Sequence, residues 1–221
     1  MATNVLNEKI IASGTGEGGV LIWERETVKE NDEDQEVKKK KKRKLDVAEL
    51  SLKKEIAGIH TMQVTDMQFV GMTQLLTGSY DHTVKLVDIS KGVAVSSIHT
   101  SYAGVCSLDS TQNTVFAGLT DSTIRQWDIR ESAQTKVYSD SHSGWVSSVA
   151  INPLNRNVLV SGGYEGYVLM WDIRGDKKPL QKVCVQKEKV MAVGWNGPQK
   201  IVSGGCEGQL YVHSLTFDET K

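Results

Sequence analysis

The sequence predicts an all-β protein built from one repeated unit, and three observations predict it. The stretch SGGYEGYVLMWD, from Ser161, reads as strand, tight turn and strand. Four other stretches align with it without a gap: SGTGEGGVLIWE from Ser13, TGSYDHTVKLVD from Thr77, AGLTDSTIRQWD from Ala117 and SGGCEGQLYVHS from Ser203. Apolar and polar residues alternate in YVLMWDI, which is the period of a strand with one buried face. Finally, the 221 residues include 20 glycines, poor helix formers, against only 3 prolines, while 39% hydrophobic residues suffice for a core over most of the chain.

Taken in order, each unit supplies strands from the same offsets. VSSVAI (Val146 to Ile151) fits an inner strand upstream of the Ser161 unit, and VMAVGW (Val190 to Trp195) matches it one repeat later. The position closing each unit holds Trp23, Val87, Trp127, Trp171 and His213. Successive units start about forty residues apart, except the first pair, whose spacing is longer by about twenty. The first unit begins almost at residue 1, with no inner strand expected before it, and the last ends without an outermost strand.

A period of about forty to forty-five residues with a closing Trp-Asp resembles the WD40 repeat, and the resemblance covers nearly the whole chain. It implies a partial β-propeller of about four to five blades, each of four antiparallel strands. Residues 1–24 would form an incomplete first blade and residues 25–50 a charged insertion. Residues 51–221 would form the remaining blades, with repeat cores near 75–88, 115–128, 159–172 and 201–214. Such an arc is expected to be the C-terminal part of a larger propeller, with unpaired strand edges at its ends.

The resemblance also implies a buried hydrogen-bonded clamp in each blade, in which an acid orients a His and a hydroxyl bridges that His to the Trp N–H. His142, Ser161, Glu165 and Trp171 would form one clamp. His60, Thr77 and Asp81 would form another, with Val87 in place of Trp. Asp121 and Trp127 would retain part of a third, in which Ala117 lacks the hydroxyl. Ser, His and acid together also suggest a hydrolase, but the set recurs from blade to blade and no nucleophile elbow or oxyanion hole accompanies it. No Walker or dinucleotide pattern is present, so Gly162, Gly163 and Gly166 read as turn and strand-packing positions and no cofactor is expected. Cys106, Cys184 and Cys206 lack metal-type spacing and read as free thiols, with Cys184 packed as a small hydrophobe. No metal, small-molecule substrate, catalysis or membrane partner is expected: no apolar run is long enough to span a bilayer, and the N-terminus lacks a signal-peptide pattern.

The formal net charge of -1 hides a strong local segregation. Acids dominate the segment after Trp23 as far as Glu36, and Lys38, Lys39, Lys40, Lys41, Lys42, Arg43 and Lys44 then form an unbroken basic run. Blocks of like charge repel and bury little, so a disordered, solvated loop at the edge of a blade is expected. KKKKKRK is a nuclear-import pattern, which makes importin an expected partner.

The order of features narrows the resemblance. An acidic-then-basic insertion precedes SYDHTVKLVDISKG, followed by SHSGWVSSVAINP, a WDIR blade and a closing SGGCEGQLYVHSL. This looks like the C-terminal half of the ribosome biogenesis family called WD-repeat-containing protein 12 in animals and Ytm in yeast. It implies a nucleolar, nucleoplasmic scaffold that joins pescadillo and block-of-proliferation proteins in a PeBoW-type complex on the pre-60S particle and supports ribosomal RNA processing. The resemblance does not extend to the N-terminal ubiquitin-like domain of that family, which is not expected within these residues. A second resemblance rests on the two WDIR tetrapeptides, whose Arg130 and Arg174 match the adaptor-contacting arginines of cullin-RING substrate receptors.

Overall fold

The computed structural model describes residues 3–6, 9–26, 49–131, 133–139, 142–175 and 177–215. Among these there is no helix, and nineteen strands form five antiparallel sheets. Sheet 1 contains β1 (Thr3–Val5), β2 (Ile10–Gly14), β3 (Val20–Glu26) and β4 (Glu49–Ile56). Sheet 2 contains β5 (Val64–Phe69), β6 (Gln74–Ser79), β7 (Thr83–Asp88) and β8 (Val93–His99). Sheet 3 contains β9 (Val105–Ser110), β10 (Thr114–Leu119), β11 (Ile124–Asp128) and β12 (Ala133–Tyr138). Sheet 4 contains β13 (Val146–Ile151), β14 (Val158–Gly163), β15 (Tyr167–Asp172) and β16 (Gln181–Val185). Sheet 5 contains β17 (Val190–Trp195), β18 (Lys200–Gly205) and β19 (Leu210–Ser214).

Each sheet is a meander, with strands ordered as in the chain, and neighbouring sheets meet through their first, inner strands. This is the blade-and-ring plan of a partial WD40 propeller. Two expectations change. An inner strand does precede the first repeat: β1 is short but pairs Thr3 with Ser13 and Val5 with Ile11. The first sheet is also four-stranded, because β3 runs on to Glu26 and β4 starts at Glu49 and completes it from beyond the charged segment. The rest of that segment, including Lys38 to Lys44, lies outside the described residues.

Four apolar clusters fill the spaces between successive sheets. Ala12, Val20 and Ile22 of sheet 1 meet Val64, Met67 and Leu75 of sheet 2. Leu76 and Val84 meet Val105, Leu108 and Trp127. Phe116 and Ile124 meet Val146, Val149 and Trp171. Val160, Val168, Met170 and Cys184 meet Val190 and Ile201. Burying both faces of each inner sheet this way is the main favourable term, since a single sheet has no second layer of its own.

A knob-and-socket contact sets the depth of each interface. A Cβ placed on Gly14 would fall 2.7 Å from Val64 Cβ, one on Gly78 2.6 Å from Val105 Cγ1, one on Gly118 2.7 Å from Val146 Cγ1 and one on Gly162 2.6 Å from Val190 Cγ1. In every interface the valine that begins an inner strand seats in the glycine of the preceding sheet.

Side chains of the inner strands add polar ties. Asn4 accepts from the Phe69 amide at 3.2 Å, Asp66 from Leu108 at 2.9 Å, Asp109 from Ile151 at 2.7 Å and Ser148 from Val193 at 3.1 Å. Burial pushes the Asp66 and Asp109 carboxyls up from the usual range, against the pull of these amide bonds.

The socket geometry leads to a direct expectation. Gly162→Val drives a side chain into Val190 and Val193 at a fully packed interface, and should destabilise the chain by about 1–3 kcal/mol. A urea melt followed by far-ultraviolet circular dichroism measures it.

Candidate functional site: buried clamps and an exposed arginine pair

The repeated units bring polar side chains together inside the sheets, completely in sheet 4 and in altered form in the others. In sheet 4, β14 carries Ser161, β15 carries Trp171, the β14–β15 turn carries Glu165, and His142 sits on the loop before β13. The Trp171 Nε1–H donates to Ser161 Oγ at 2.8 Å, and His142 Nε2 lies 2.7 Å from the same oxygen. His142 Nδ1 pairs with Glu165 Oε1, and the Gly144 amide donates to Glu165 Oε2 at 3.2 Å. Burial works to raise the Glu165 carboxyl, but the bonds from His142 and the amides outweigh it and hold it below the usual range. Ser161 is 0% exposed and its oxygen is committed to two partners, so it cannot reach a substrate as a nucleophile. Gly166, at φ +87, supplies the left-handed turn residue that closes this hairpin.

Sheet 2 repeats the plan with one change. His60 Nε2 lies 2.8 Å from Thr77 Oγ1, and His60 Nδ1 lies 2.9 Å from Asp81 Oδ2. Thr83, not singled out in the sequence, braces both: its hydroxyl donates to Asp81 Oδ1 at 2.6 Å and lies 3.0 Å from His60 Nδ1. Where Trp is replaced by the buried Val87, the Thr77 hydroxyl turns to the Lys85 carbonyl at 3.4 Å. Burial lowers the His60 pKa from 6.5, with Asp81 opposing. For Asp81, burial acts to raise the pKa, but the bonds from Thr83, the Thr61 amide and His60 prevail and lower it.

Asp121 and Trp127 do not form one clamp. Asp121 accepts from Thr123 and pairs with Arg125, and Arg125 Nη1 in turn reaches the Thr100 carbonyl at 3.0 Å. Trp127 packs into the apolar cluster between sheets 2 and 3. With Ala117 in the hydroxyl position, nothing bridges the two, and Arg125 ties the turn to the preceding loop instead.

Sheet 5 holds a clamp that the sequence reading missed. Gln186 Nε2 donates to Ser203 Oγ at 2.9 Å, taking the place of the histidine. Its signal was spacing: Gln186 precedes Ser203 by 17 residues, as His60 precedes Thr77. Glu207 binds the Lys187 and Glu188 amides and the Tyr211 hydroxyl. His213, in the Trp position, stacks on Tyr211 with rings 6.3 Å apart. In sheet 1, Trp23 Nε1–H donates to Ser13 Oγ at 2.8 Å.

Arg130 and Arg174 stand at equivalent turns of sheets 3 and 4. Each forks onto the aspartate two residues before it: Arg130 Nη2 lies 2.7 Å from Asp128 Oδ2, and Arg174 Nη2 lies 2.9 Å from Asp172 Oδ2. The Arg130 bond draws the Asp128 pKa down to about 2. A partner would have to displace these acids to use the guanidiniums. No group of three His, Cys, Asp or Glu side chains able to hold a metal occurs among the described residues.

This repeated antiparallel sheet, stacked blade upon blade and holding a Ser–Trp tie in sheets 1 and 4, defines a WD-repeat protein. The family model for the WD domain, G-beta repeat, matches residues 55–88 and 133–172. Within that class the chain is a relative of the ribosome biogenesis protein WDR12 homologues. It is 30% identical over 220 residues to the homologue of Anopheles gambiae, covering 96% of this chain and 50% of that protein. It is 28% identical over 206 residues to that of Aedes aegypti, covering 91% of this chain and 48% of that protein, and 32% identical over 158 residues to that of Nematostella vectensis, covering 70% and 38%. The chain thus spans about half the length, or less, of these relatives.

Two outcomes follow from the clamp. Ser161→Ala leaves the Trp171 N–H and His142 without their shared oxygen in a closed interior, and should cost about 1–3 kcal/mol in a denaturant melt. The pH response has a definite sign. His60 is lowered in the folded state, so the folded chain binds fewer protons than the unfolded one as pH falls through 6.5; the lowered Asp81 and Glu165 add to this at still lower pH. The melting temperature should therefore fall as the pH drops from neutral through 6.5, and this fall should be absent in His60→Gln; at lower pH the raised Asp66 and Asp109 oppose the contribution of Asp81 and Glu165.

Proposed function

We propose that this chain is a non-catalytic WD-repeat scaffold in nucleolar maturation of the large ribosomal subunit. The observation that carries the reading is its similarity, along most of its length, to proteins named for ribosome biogenesis. The interior supports it: the Ser–His–acid sets are sealed in clamps, so what the molecule offers is a rigid stack of sheets with a broad contact surface. In this reading the chain joins pescadillo and block-of-proliferation proteins in a PeBoW-type complex on the pre-60S particle and supports ribosomal RNA processing. The run Lys38 to Lys44 recruits importin and brings it to the nucleus, nucleolus and nucleoplasm.

Affinity purification of the tagged chain from nuclear extract tests this, with mass spectrometry and RNA blotting of what is recovered. Pescadillo, block-of-proliferation protein and large-subunit precursor RNA are expected together. Recovery of a cullin adaptor in their place, lost on Arg130→Ala and Arg174→Ala, would replace the reading with that of a ubiquitin-ligase receptor. Changing all seven basic residues 38–44 to Gln should shift the tagged chain from nucleus to cytoplasm; unchanged nuclear signal would refute the import role.

A further inference from the structure

The inner strands start, and the second strands end, at one rim of the stacked sheets, as the pairs Val64–Ser79 and Val146–Gly163 show. Three aromatic rings meet at this rim. Tyr80 follows β6, Tyr164 follows β14 at the equivalent place, and Trp145 immediately precedes β13. Trp145 stacks on Tyr164 with centroids 5.3 Å apart and planes at 24°, and lies 6.4 Å from Tyr80 at 56°. The ridge therefore runs from sheet 2 to sheet 4. Sheet 3 has the shorter Thr120 in the place of a tyrosine, which leaves room for the rings to meet above it. Glycines seat the tyrosines: a Cβ on Gly104 would fall 2.9 Å from Tyr80 Cδ1, and one on Gly144 3.0 Å from Tyr164 Cβ. Trp145 is nonetheless 42% exposed, at the centre of the stack.

The hydrogen-bonding balance of this ridge is one-sided. Its acceptors are taken. The Thr120 hydroxyl accepts from the Gly104 amide at 2.9 Å, and the Gly104 carbonyl from the Thr120 amide at 3.0 Å. The Trp145 carbonyl accepts from the Tyr164 amide at 2.9 Å, and Glu165 is held by His142 and the Gly144 amide. The donors are unspent: among the described residues, the Trp145 indole and the Tyr80 and Tyr164 hydroxyls have no hydrogen-bond partner. Lys189 adds a further donor, its Nζ 4.5 Å from the centre of the Tyr164 ring. An ordinary peptide would bring backbone N–H groups to a surface with no acceptor left for them. A proline-rich segment brings carbonyls without N–H groups, and flat apolar rings that lie on aromatic faces. The lysine on the ridge disfavours a cationic partner, while one lysine on a chain of net charge -1 is not the basic footprint of a nucleic-acid site.

We infer that the Tyr80–Trp145–Tyr164 ridge is a docking site for a proline-rich segment of another polypeptide in the polyproline II conformation. Trp145 and Tyr164 take the proline rings, and the indole and phenol donors take the carbonyls between them. The proposal rests on this ridge and not on the ribosomal reading, so binding of such a segment without recovery of any ribosomal precursor leaves it standing.

The test is fluorescence anisotropy of the full chain with a labelled proline decamer, against a decamer of alternating glycine and serine. Saturable binding of the proline decamer is expected, at least tenfold tighter than the control and little changed by salt. Trp145→Ala should weaken it about thirtyfold, the loss of an aromatic anchor. Tyr164→Phe, which keeps the ring and removes one donor, should weaken it about threefold. Leu154→Ala, an exposed apolar residue beyond the other end of β13, should leave it unchanged. Trp145→Ala removes a largely surface ring, so its melting curve should match that of the parent. Absence of saturable binding by the parent, equal binding of the glycine–serine decamer, or full binding by Trp145→Ala overturns the proposal. So does tighter, salt-dependent binding of a uridine decamer that is lost in Trp145→Ala, because the occupant would then be single-stranded RNA.

Discussion

The constraint on which this molecule depends is that a four-stranded sheet has two faces and no means of covering either. A helix can turn its apolar stripe inward; a thin sheet needs a layer on each side. Here the layer is the next copy of the same sheet, and the valine–glycine contact sets how closely the two approach. A glycine on the second strand lets the neighbouring inner strand come within reach of backbone, which in turn allows Asp66, Asp109 and Ser148 to bond directly to the next sheet's amides. Packing and polar ties are therefore one arrangement, and the second exists because the first brings the strands close.

The clamps are less uniform than the sockets. Sheet 4 has the full chain of Trp, Ser, His and Glu; sheet 2 substitutes Val87 and recruits Thr83; sheet 5 substitutes Gln186 for His; sheet 3 replaces the clamp with Arg125. The pattern is physically reasonable. A buried hydrogen bond contributes modestly, but an abandoned partner costs more, so a clamp can be rewired provided most of its groups find new partners. Sheet 5 carries the unfinished case, with Gln186 Oε1 and His213 Nε2 buried and unpartnered in the same blade. The socket cannot be rewired in this way, because any side chain on the glycine collides with the next sheet.

Function is set by what this interior leaves outside. The Ser–His–acid set of sheet 4 is enclosed and its groups are bonded to one another. The surface is uneven: paired arginines lie neutralised on their own aspartates at the turns of sheets 3 and 4, while the far face of sheet 5 is apolar and open.

The sequence by itself determined the repeat, the all-β class, the inner strands at Val146 and Val190 and the members of the sheet 4 clamp. All of these follow from periodicity and from residue types at fixed offsets, which are local properties. Only the tertiary structure decided that β1 exists, since three residues without strong alternation become a strand only through pairing with β2. It decided that Asp121 serves Arg125 and not Trp127, and that Gln186 stands in for a histidine, because both depend on which side chains face each other across a loop. It also decided which of two identical-looking apolar strands is buried. Val168 and Leu210 occupy the same place in the same motif, and the difference between 0% and 72% exposure lies wholly in whether another sheet is stacked on them.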